Sequence, residues 1–163
     1  MDPAASSLNL DQHLAGAGVP AASLAHLWQR LWSQPYLPAA LLELCRLNLA
    51  RLHRDELELG ALNPHAVADA REQARRELVR SGGAAGNPLF SPLEQAVLEF
   101  CECYALDPQS IDDAVADAVS RRLGEPGLVF LIEALGLIDA RIRSARCLRD
   151  LARAEQTEVR DGH

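Results

Sequence analysis

LLELCRLNLARLHRDELELGAL, residues 41–62, begins with a strongly apolar segment. Its leucines recur on several faces of a helix, which predicts a helix buried on most sides. A charged run follows at once and contains His53, Arg54, Asp55, Glu56 and Glu58. Asp55 and Glu58 have the spacing of a helix N-cap and of the carboxylate that reaches back to it, so a second helix is predicted to begin here. Glu43, with Arg46 three residues on, lies inside the first helix and completes the best candidate site.

The amino-acid composition favours helices over strands. The chain has 163 residues, of which 48% are hydrophobic and only 4% aromatic. Ala, Leu and Arg dominate, and these residues form helices well, whereas the residues that strands prefer are scarce. The formal net charge of −7 disfavours a nucleic-acid surface, which needs a basic footprint. The sequence therefore predicts an all-α protein that does not bind nucleic acid.

The four cysteines, Cys45, Cys101, Cys103 and Cys147, lie in helical patterns. No segment has the pattern of a secretory leader, and no run reaches the roughly 18 apolar residues of a membrane span. These features predict a cytoplasmic protein without membrane contact, whose thiols stay free. Cys101 and Cys103 lie about 200° apart around a helix, so they cannot pair locally. A spatial pair of Cys45 with Cys147 stays open, although buried free cysteines usually act as small hydrophobes.

Proline, glycine and capping residues divide the chain into segments. Residues 1–19 are small and polar and are expected to form a flexible arm, and residues 155–163 a flexible tail. Residues 20–154 are predicted to form one helical domain, in two halves joined by the flexible linker SGGAAGNP at 81–88. Besides the helix that opens residues 41–62, helices are expected after Pro20, from Pro64 to Arg80, from Ser91 to Leu106, from Ser110 to Gly124 and from Glu125 to about Ala154.

The last of these helices is almost wholly apolar from Leu128 to Ile142. A helix that is apolar on all faces is expected to be central, or shared between subunits. Its final turns are basic, and a solvated or salt-bridged face is the simplest interpretation of Arg143, Arg146, Arg149 and Arg153.

Two parts of the chain resemble the carboxymuconolactone decarboxylase-like superfamily, in particular its alkylhydroperoxidase D-like branch. In the first half, ELCRLNLARLHRDELE is similar to the family's Glu-led helix that runs into a Cys-x-x-Cys. In the second half, FSPLEQAVLEF and residues 110–145 look like its capped helix, its acidic-start helix and its long apolar helix, with Asp139 and Arg143 at the places of the family's Asn and Arg. The resemblance covers about residues 37–150 and implies an alkylhydroperoxidase D-like helical bundle of about six helices, assembled as a homo-oligomer, either a trimer or a hexamer.

The chain differs from the family at the positions of the family's reactive residues. Family peroxidases place two cysteines twelve and fifteen residues after the glutamate and a histidine four further on, and here those positions hold Asp55, Glu58 and Leu62, while Glu43 is kept. In the redox branch one cysteine attacks the peroxide, the other resolves it as a disulfide, and the glutamate and histidine relay protons. A carboxylate can form neither a sulfenic acid nor a disulfide, so this cycle cannot run at Asp55-x-x-Glu58. A helix N-terminus stabilises a carboxylate as it stabilises a thiolate. Asp55 and Glu58 can therefore keep the negative charge and the helix cap of the family's cysteine pair.

Three interpretations of the function follow. In the first, the chain is a family member that has lost thiol peroxidase activity and keeps a small acidic pocket formed by Glu43, His53, Asp55 and Glu58. In the second, it is a cofactor-free enzyme like the family's lactone decarboxylases, with His53 as general base, Glu43 as its orienter or acid and Arg143 as an anion clamp. In the third, it is a structural or interaction protein with a vestigial pocket. The first and third are favoured, because no complete set of nucleophile, base and orienter is present.

No cofactor and no metal ion are predicted. His53, Asp55, Glu58 and His65 are the nearest approach to a metal cluster, but their spacing matches no standard ligand set. The ligand expected for the candidate pocket is a small organic acid or a peroxide-like molecule.

Overall fold

A computed structural model describes residues 4–161 of the chain, and describes their side chains as far as residue 154. Over this range the chain is all-α, as predicted, with seven α-helices and one short 3-10 helix and with no strand. The helices are α1 Leu10–Leu14, α2 Val19–Leu31, α3 Ala39–Leu52, α4 Glu56–Gly60, α5 Ala70–Ser81, α6 Pro92–Leu106 and α7 Asp113–Asp161, and the 3-10 helix is Pro108–Ser110.

Helix α3 lies at the centre of the molecule. Ten consecutive residues, 41–50, are buried, which confirms the prediction of a helix buried on most sides. It packs against α4, α5, α6 and α7. The main hydrophobic core takes side chains from both halves of the chain, for example Leu44 and Leu47 from α3 and Leu135 and Ile138 from α7. Both halves therefore contribute to one core.

Helix α7 has a break near its start. Gly124 leaves the helical conformation with φ 72° and ψ 169°, a region that glycine tolerates best, and Pro126 follows within the next turn. The predicted end of one helix at Gly124 and start of another at Glu125 is thus confirmed. The remainder of α7 continues to Asp161, whereas a flexible tail is predicted for residues 155–163, of which the last two lie outside the described part.

The predicted start of the helix at Pro64 is wrong. Helix α5 begins at Ala70, where the Asp69 side chain accepts a hydrogen bond from the Glu72 amide at 2.8 Å. Before it, the Asn63 side chain accepts from the His65 amide at 2.9 Å and turns the chain locally. A side-chain turn of this kind competes with helix formation, which explains the later start.

The loop between α5 and α6 contains the predicted linker. Gly82 ends α5 in the left-handed conformation with φ 78°, and the Gly83 amide donates back to the Leu78 carbonyl at 2.7 Å. These hydrogen bonds pair carbonyl groups that would otherwise have no donor at the end of the helix. The Gln95 side chain on α6 then bonds the backbone of Ala84, Gly86 and Asn87, so the loop is tied to the following helix.

The segment before α2 packs against the rest of the molecule. Ala5, Ser7 and Leu10 are buried, and Ala5 and Leu10 form a small apolar cluster with Ala145 of α7. This packing differs from the flexible arm predicted for residues 1–19, of which the first three lie outside the described part. Burial of these side chains contributes to the free energy that stabilises the ordered conformation of this segment.

None of the helices among residues 4–161 combines the length and the apolar character that crossing a bilayer requires.

Candidate functional site

Glu43 and Glu58 are joined by one buried guanidinium group, that of Arg46. Arg46 forms a forked pair with Glu43, in which Nε and Nη2 donate to the two carboxylate oxygens at 2.8 and 2.7 Å. Its Nη1 donates to Glu58 Oε1 at 2.5 Å and to the Glu58 carbonyl at 2.8 Å. All three side chains are at most 1% exposed. An arginine between two carboxylates in this geometry makes strong, charge-assisted hydrogen bonds.

Two local features of the sequence bring these three side chains together. Glu43 and Arg46 are three residues apart on α3 and so lie on one face. A short turn, in which Arg54 has φ 53°, then folds α4 back over α3. Asp55 caps α4 by accepting from the Glu58 amide at 3.1 Å, which confirms the predicted N-cap. The Glu58 carboxylate does not reach back to Asp55, whose amide donates to the Ala50 carbonyl at 3.0 Å; that part of the prediction is wrong.

The remaining bonds of the two glutamates come from residues outside α3 and α4. The Ser7 amide donates to Glu58 Oε2 at 2.8 Å, and the Ser7 hydroxyl donates to Glu58 Oε1. The Asn63 amide nitrogen donates to Glu43 Oε2 at 2.6 Å. Every carboxylate oxygen of Glu43 and Glu58 thus accepts at least one hydrogen bond from the protein. We call Ser7, Glu43, Arg46, Glu58 and Asn63 the buried ionic cluster.

Charge within the cluster fixes the protonation of Arg46. Burial by itself lowers the pKa of its guanidinium, but the hydrogen bonds and negative charge of Glu43, together with those of Glu58, outweigh this effect. The pKa of Arg46 is therefore raised from its ordinary value. The cluster holds a permanent positive charge between two carboxylates, an arrangement suited to holding helices together.

Asp55 belongs to a second buried ion pair, with Arg149 of α7. Arg149 Nη2 donates to Asp55 Oδ2, and its Nη1 donates to the Ala5 carbonyl at 2.5 Å. Arg141, two turns earlier on α7, donates to the Ser7 carbonyl at 2.9 Å and pairs with Asp11 at 2.6 Å. Two arginines of α7 thus bind the backbone of the N-terminal segment on either side of the Ser7–Glu58 contact.

His53 and Arg143 meet at Asp139, not at Glu43. His53 Nε2 lies 2.5 Å from Asp139 Oδ1, and Arg143 Nε donates to Asp139 Oδ2 at 2.7 Å. The His53 and Asp139 side chains are 21% and 15% exposed, whereas that of Arg143 is 63% exposed. Both Glu43 oxygens are already bonded within the buried ionic cluster. The arrangement with Glu43 orienting His53 is therefore absent among the described contacts, and Asp139 has that place.

Tyr104 lies close to this surface group. Burial raises the pKa of the Tyr104 phenol, the negative charge of Asp139 raises it further, and the positive charge of Arg143 opposes both. The phenol is consequently held in its neutral form to higher pH than usual. His53, Asp139, Arg143 and Tyr104 are named below as the surface polar group.

All four cysteines are free thiols in this structure. Cys45 of α3 and Cys101 of α6 are fully buried next to each other, and the Cys101 thiol donates to the Cys45 carbonyl at 3.8 Å. The hydrogen bond with the Cys45 side chain, together with burial, raises the pKa of Cys101 well above its ordinary value. Peroxide reacts with thiolates, so this buried thiol is in the unreactive form. Cys147 is exposed while Cys45 is buried, and the two do not pair.

No sequence pattern links Ser7 to Glu58 or Asn63 to Glu43, because these partners lie far apart in the sequence. For Arg149 a signal existed: it lies four and seven residues after Ala145 and Ile142, on the face of α7 that is buried. Arg149 forms an ion pair, as the prediction of a solvated or salt-bridged face allows, but it is only 4% exposed and therefore lies in the interior and not on a solvated face. Arg143, Arg146 and Arg153 of the same run are exposed.

Several surface grooves in the described part of the chain lie away from the predicted site. Five surface grooves have volumes of about 420 to 990 Å³, and none of them is lined by Glu43, His53, Asp55, Glu58 or Arg143. Within residues 4–154 no three or more His, Cys, Asp or Glu side chains are grouped so as to hold a metal ion. The two acidic positions of the Asp-x-x-Glu segment bind arginines instead.

Comparisons of the chain with protein-family models, with curated proteins and with solved structures gave no match.

Proposed function

We propose that this chain is an alkylhydroperoxidase D-like protein without thiol peroxidase activity, in which the acidic residues hold the fold together and bind no substrate. The observation that supports the proposal is the full occupation of the Glu58 carboxylate by Arg46 and Ser7. The Glu58 side chain is also fully buried, so a ligand could reach its carboxylate only by displacing one of these partners. Its biological role in this proposal is structural or in protein interaction, and the acidic pocket is closed.

The thiols support the same proposal. Thiol peroxidase chemistry needs a thiolate that becomes a sulfenic acid and a second thiol that resolves it. Asp55 and Glu58 supply neither. Cys45 and Cys101 are adjacent, but both are fully buried, and the raised pKa of Cys101 keeps its proton in place.

A peroxide-consumption assay with a dithiol reductant tests this proposal. We expect the wild-type protein to consume hydrogen peroxide or an alkyl hydroperoxide no faster than a variant with Cys101→Ala. Sustained turnover by the wild type that Cys101→Ala abolishes would refute the proposal. Cys147→Ser is the matched control, because it removes an exposed thiol and leaves the buried pair intact.

A second candidate function is proton transfer to a small organic acid at the surface polar group. The observation that favours it is the contact of His53 with Asp139, which can orient the imidazole as a general base. Arg143, largely exposed beside them, has the charge to bind a carboxylate. This candidate keeps the roles predicted for His53 and Arg143 and gives the role of Glu43 to Asp139.

Deuterium incorporation tests the second candidate. The protein is incubated in D₂O with a panel of small carboxylic acids, and exchange of their α-hydrogens and loss of CO₂ are followed by NMR. This candidate predicts exchange or decarboxylation that His53→Gln abolishes and that Arg143→Gln weakens through KM. If wild type and His53→Gln are alike for every acid, the candidate is excluded for that panel.

A further inference from the structure

A groove lies between α3, α6 and the loop that follows α5, away from the buried ionic cluster and the surface polar group. Its volume is about 630 Å³, within the range of about 300–1,000 Å³ that is usual for ligand pockets. Residues 82 and 84–86 form its wall on the loop side. Gln95 of α6 accepts from the Gly86 amide at 3.2 Å and donates to the Ala84 carbonyl at 3.1 Å, so this wall is held in place without a ligand.

Asn48 lines this groove and has an unused donor. It is only 3% exposed, and its Oδ1 accepts from Arg51 Nε at 3.2 Å and from Arg51 Nη2 at 2.8 Å. Its Nδ2 is buried and donates to no other residue in the described part of the chain. The Cys45 side chain and burial raise the pKa of the nearby Cys101 thiol, and Asn48 opposes this rise, but a thiol is a weak acceptor. A buried donor without a strong acceptor costs free energy, which an oxygen atom of a bound ligand would recover.

Arg51 supplies a second donor beside Asn48. Its Nε and Nη2 are bonded to Asn48 and Glu102, which leaves Nη1 for a ligand. Gly82 lies next to this nitrogen, since a Cβ on the glycine would be 3.6 Å from Arg51 Nη1. The lack of a side chain at Gly82 therefore keeps space open beside Nη1. An amide donor and a guanidinium donor together match the two oxygens of a carboxylate.

The α6 side of the groove carries the opposite charge. Glu99 and Glu102 lie three residues apart on α6 and both line the groove. Glu99 is exposed and forms no ion pair with any described residue, whereas Glu102 bonds Arg51 at 2.5 Å. Two carboxylates against one guanidinium give the lining a net negative charge, which disfavours a simple anion. A simple cation would leave the two donors without an acceptor, so a ligand with both charges fits the groove best.

We propose that this groove binds an α-amino acid with an aliphatic side chain. The carboxylate of the ligand accepts from Asn48 Nδ2 and Arg51 Nη1. Its ammonium group donates to Glu99 and Glu102. The contact of Arg51 with Glu102 places opposite charges side by side in the protein, which matches a ligand whose own two charged groups are attached to one carbon atom. The inference does not depend on the proposed function.

The apolar part of the lining selects the side chain of the ligand. Leu52, Val79, Leu98 and Leu106 line the groove, and Leu106 is 72% exposed. An aliphatic side chain packed against Leu106 removes apolar area of both from water. Gln95, the other polar amide of the lining, is already bonded to the loop, so a polar side chain gains no amide partner there.

Titration with L-leucine, followed by NMR of the backbone amides of the full chain, is the first test. L-leucine is expected to bind with a dissociation constant of about 1 mM or lower. The analogues 4-methylpentanoate, which lacks the ammonium group, and 3-methylbutylamine, which lacks the carboxylate, keep the same side chain. Each is expected to bind at least about tenfold more weakly, because it loses hydrogen bonds to charged groups. No binding of L-leucine up to about 10 mM, or equal affinity for either analogue, would overturn the proposal.

Substitutions in the lining test the location of the site. Glu99→Gln removes an exposed carboxylate and is expected to raise the dissociation constant of L-leucine at least about tenfold without weakening the binding of 4-methylpentanoate. Glu133→Gln is the matched control, because Glu133 is also exposed but lies on α7 outside this groove. Arg51→Met is expected to abolish L-leucine binding while circular dichroism shows a folded chain. Equal L-leucine affinities of the wild type and Glu99→Gln, or shift changes that spare the Gly82 and Gly86 amides, would place the ligand elsewhere and refute the proposal.

Discussion

Arg46 is the residue on which the buried ionic cluster depends. Its guanidinium is the shared counter-charge of Glu43 and Glu58, at sites that water does not reach. A buried ion pair adds little net stability compared with a well-packed apolar pair, but removal of one member leaves an uncompensated charge. The contribution of Arg46 to stability can therefore be measured only in a variant that keeps both glutamates.

Substitution of Arg46 tests this requirement. Arg46→Met leaves two buried carboxylates without a counter-charge, and we expect it to lower the free energy of unfolding by about 3–5 kcal/mol. Arg51→Met, on the same helix, breaks a partly exposed pair with Glu102 and two hydrogen bonds to Asn48 Oδ1, and is expected to cost less, about 1–2 kcal/mol. Urea unfolding followed by circular dichroism measures both. Similar small losses for the two variants would show that Glu43 and Glu58 do not need Arg46.

Tyr104 reports the charge of the surface polar group. Burial and the charge of Asp139 raise its pKa, so its phenolate is expected to form above pH 10. Asp139→Asn removes a negative charge and leaves the opposing positive charge of Arg143, so the pKa of Tyr104 is expected to fall. Absorbance at 295 nm follows the titration, and Tyr104→Phe separates it from that of Tyr36. An unchanged midpoint in Asp139→Asn would place Asp139 away from the phenol.

At the level of elements, the N-terminal segment and α7 are bound to each other by polar contacts. Arg141 and Arg149 donate to carbonyls of Ser7 and Ala5, and Glu58 accepts from the Ser7 amide. Without these bonds a short polar segment would not order itself, because its few apolar side chains cannot offset the conformational entropy lost. Docking of this segment also excludes other molecules from Glu58.

Hydrogen exchange tests the docking. The Ser7 amide is expected to exchange at least a hundredfold more slowly than an unstructured amide, because it is buried and bonded to a carboxylate. Glu58→Gln weakens that acceptor, and we expect the protection of Ser7 to fall more than that of amides in α6. NMR-detected exchange at several pH values measures both. Exchange of Ser7 at the unstructured rate in the wild type would mean that the segment is undocked.

For the whole molecule, sequence patterns predict those structural features that residues close in sequence determine. The Asp55 cap, the capping box of Ser91 and Glu94 and the break at Gly124 each follow from residues close in sequence, and each is present. The burial of Arg149 and the docking of Ser7 depend on partners 94 and 51 residues away. Such pairs leave no periodic or capping pattern. The observed site therefore differs from the predicted one at Ser7 and Arg149, which cover its carboxylates.

The same difference between near and distant partners explains what the predicted site residues bind. The sequence correctly indicates that Glu43, Asp55 and Glu58 are unusual, because carboxylates in an apolar setting need partners. It does not show whether the partner is a ligand or the protein itself. Two arginines, Arg46 and Arg149, supply partners here together with Ser7 and Asn63, and the carboxylates hold helices and the N-terminal segment in place.

A double-mutant cycle on Ser7 and Glu58 tests this account most directly. Unfolding free energies of the wild type, Ser7→Ala, Glu58→Gln and the double variant give the coupling between the two side chains. If the Ser7 hydroxyl binds the Glu58 carboxylate, the coupling is expected to be about 1.5–3 kcal/mol, the range for hydrogen bonds to charged groups. Additivity of the two substitutions within about 0.5 kcal/mol would contradict the contact between the Ser7 hydroxyl and the Glu58 carboxylate.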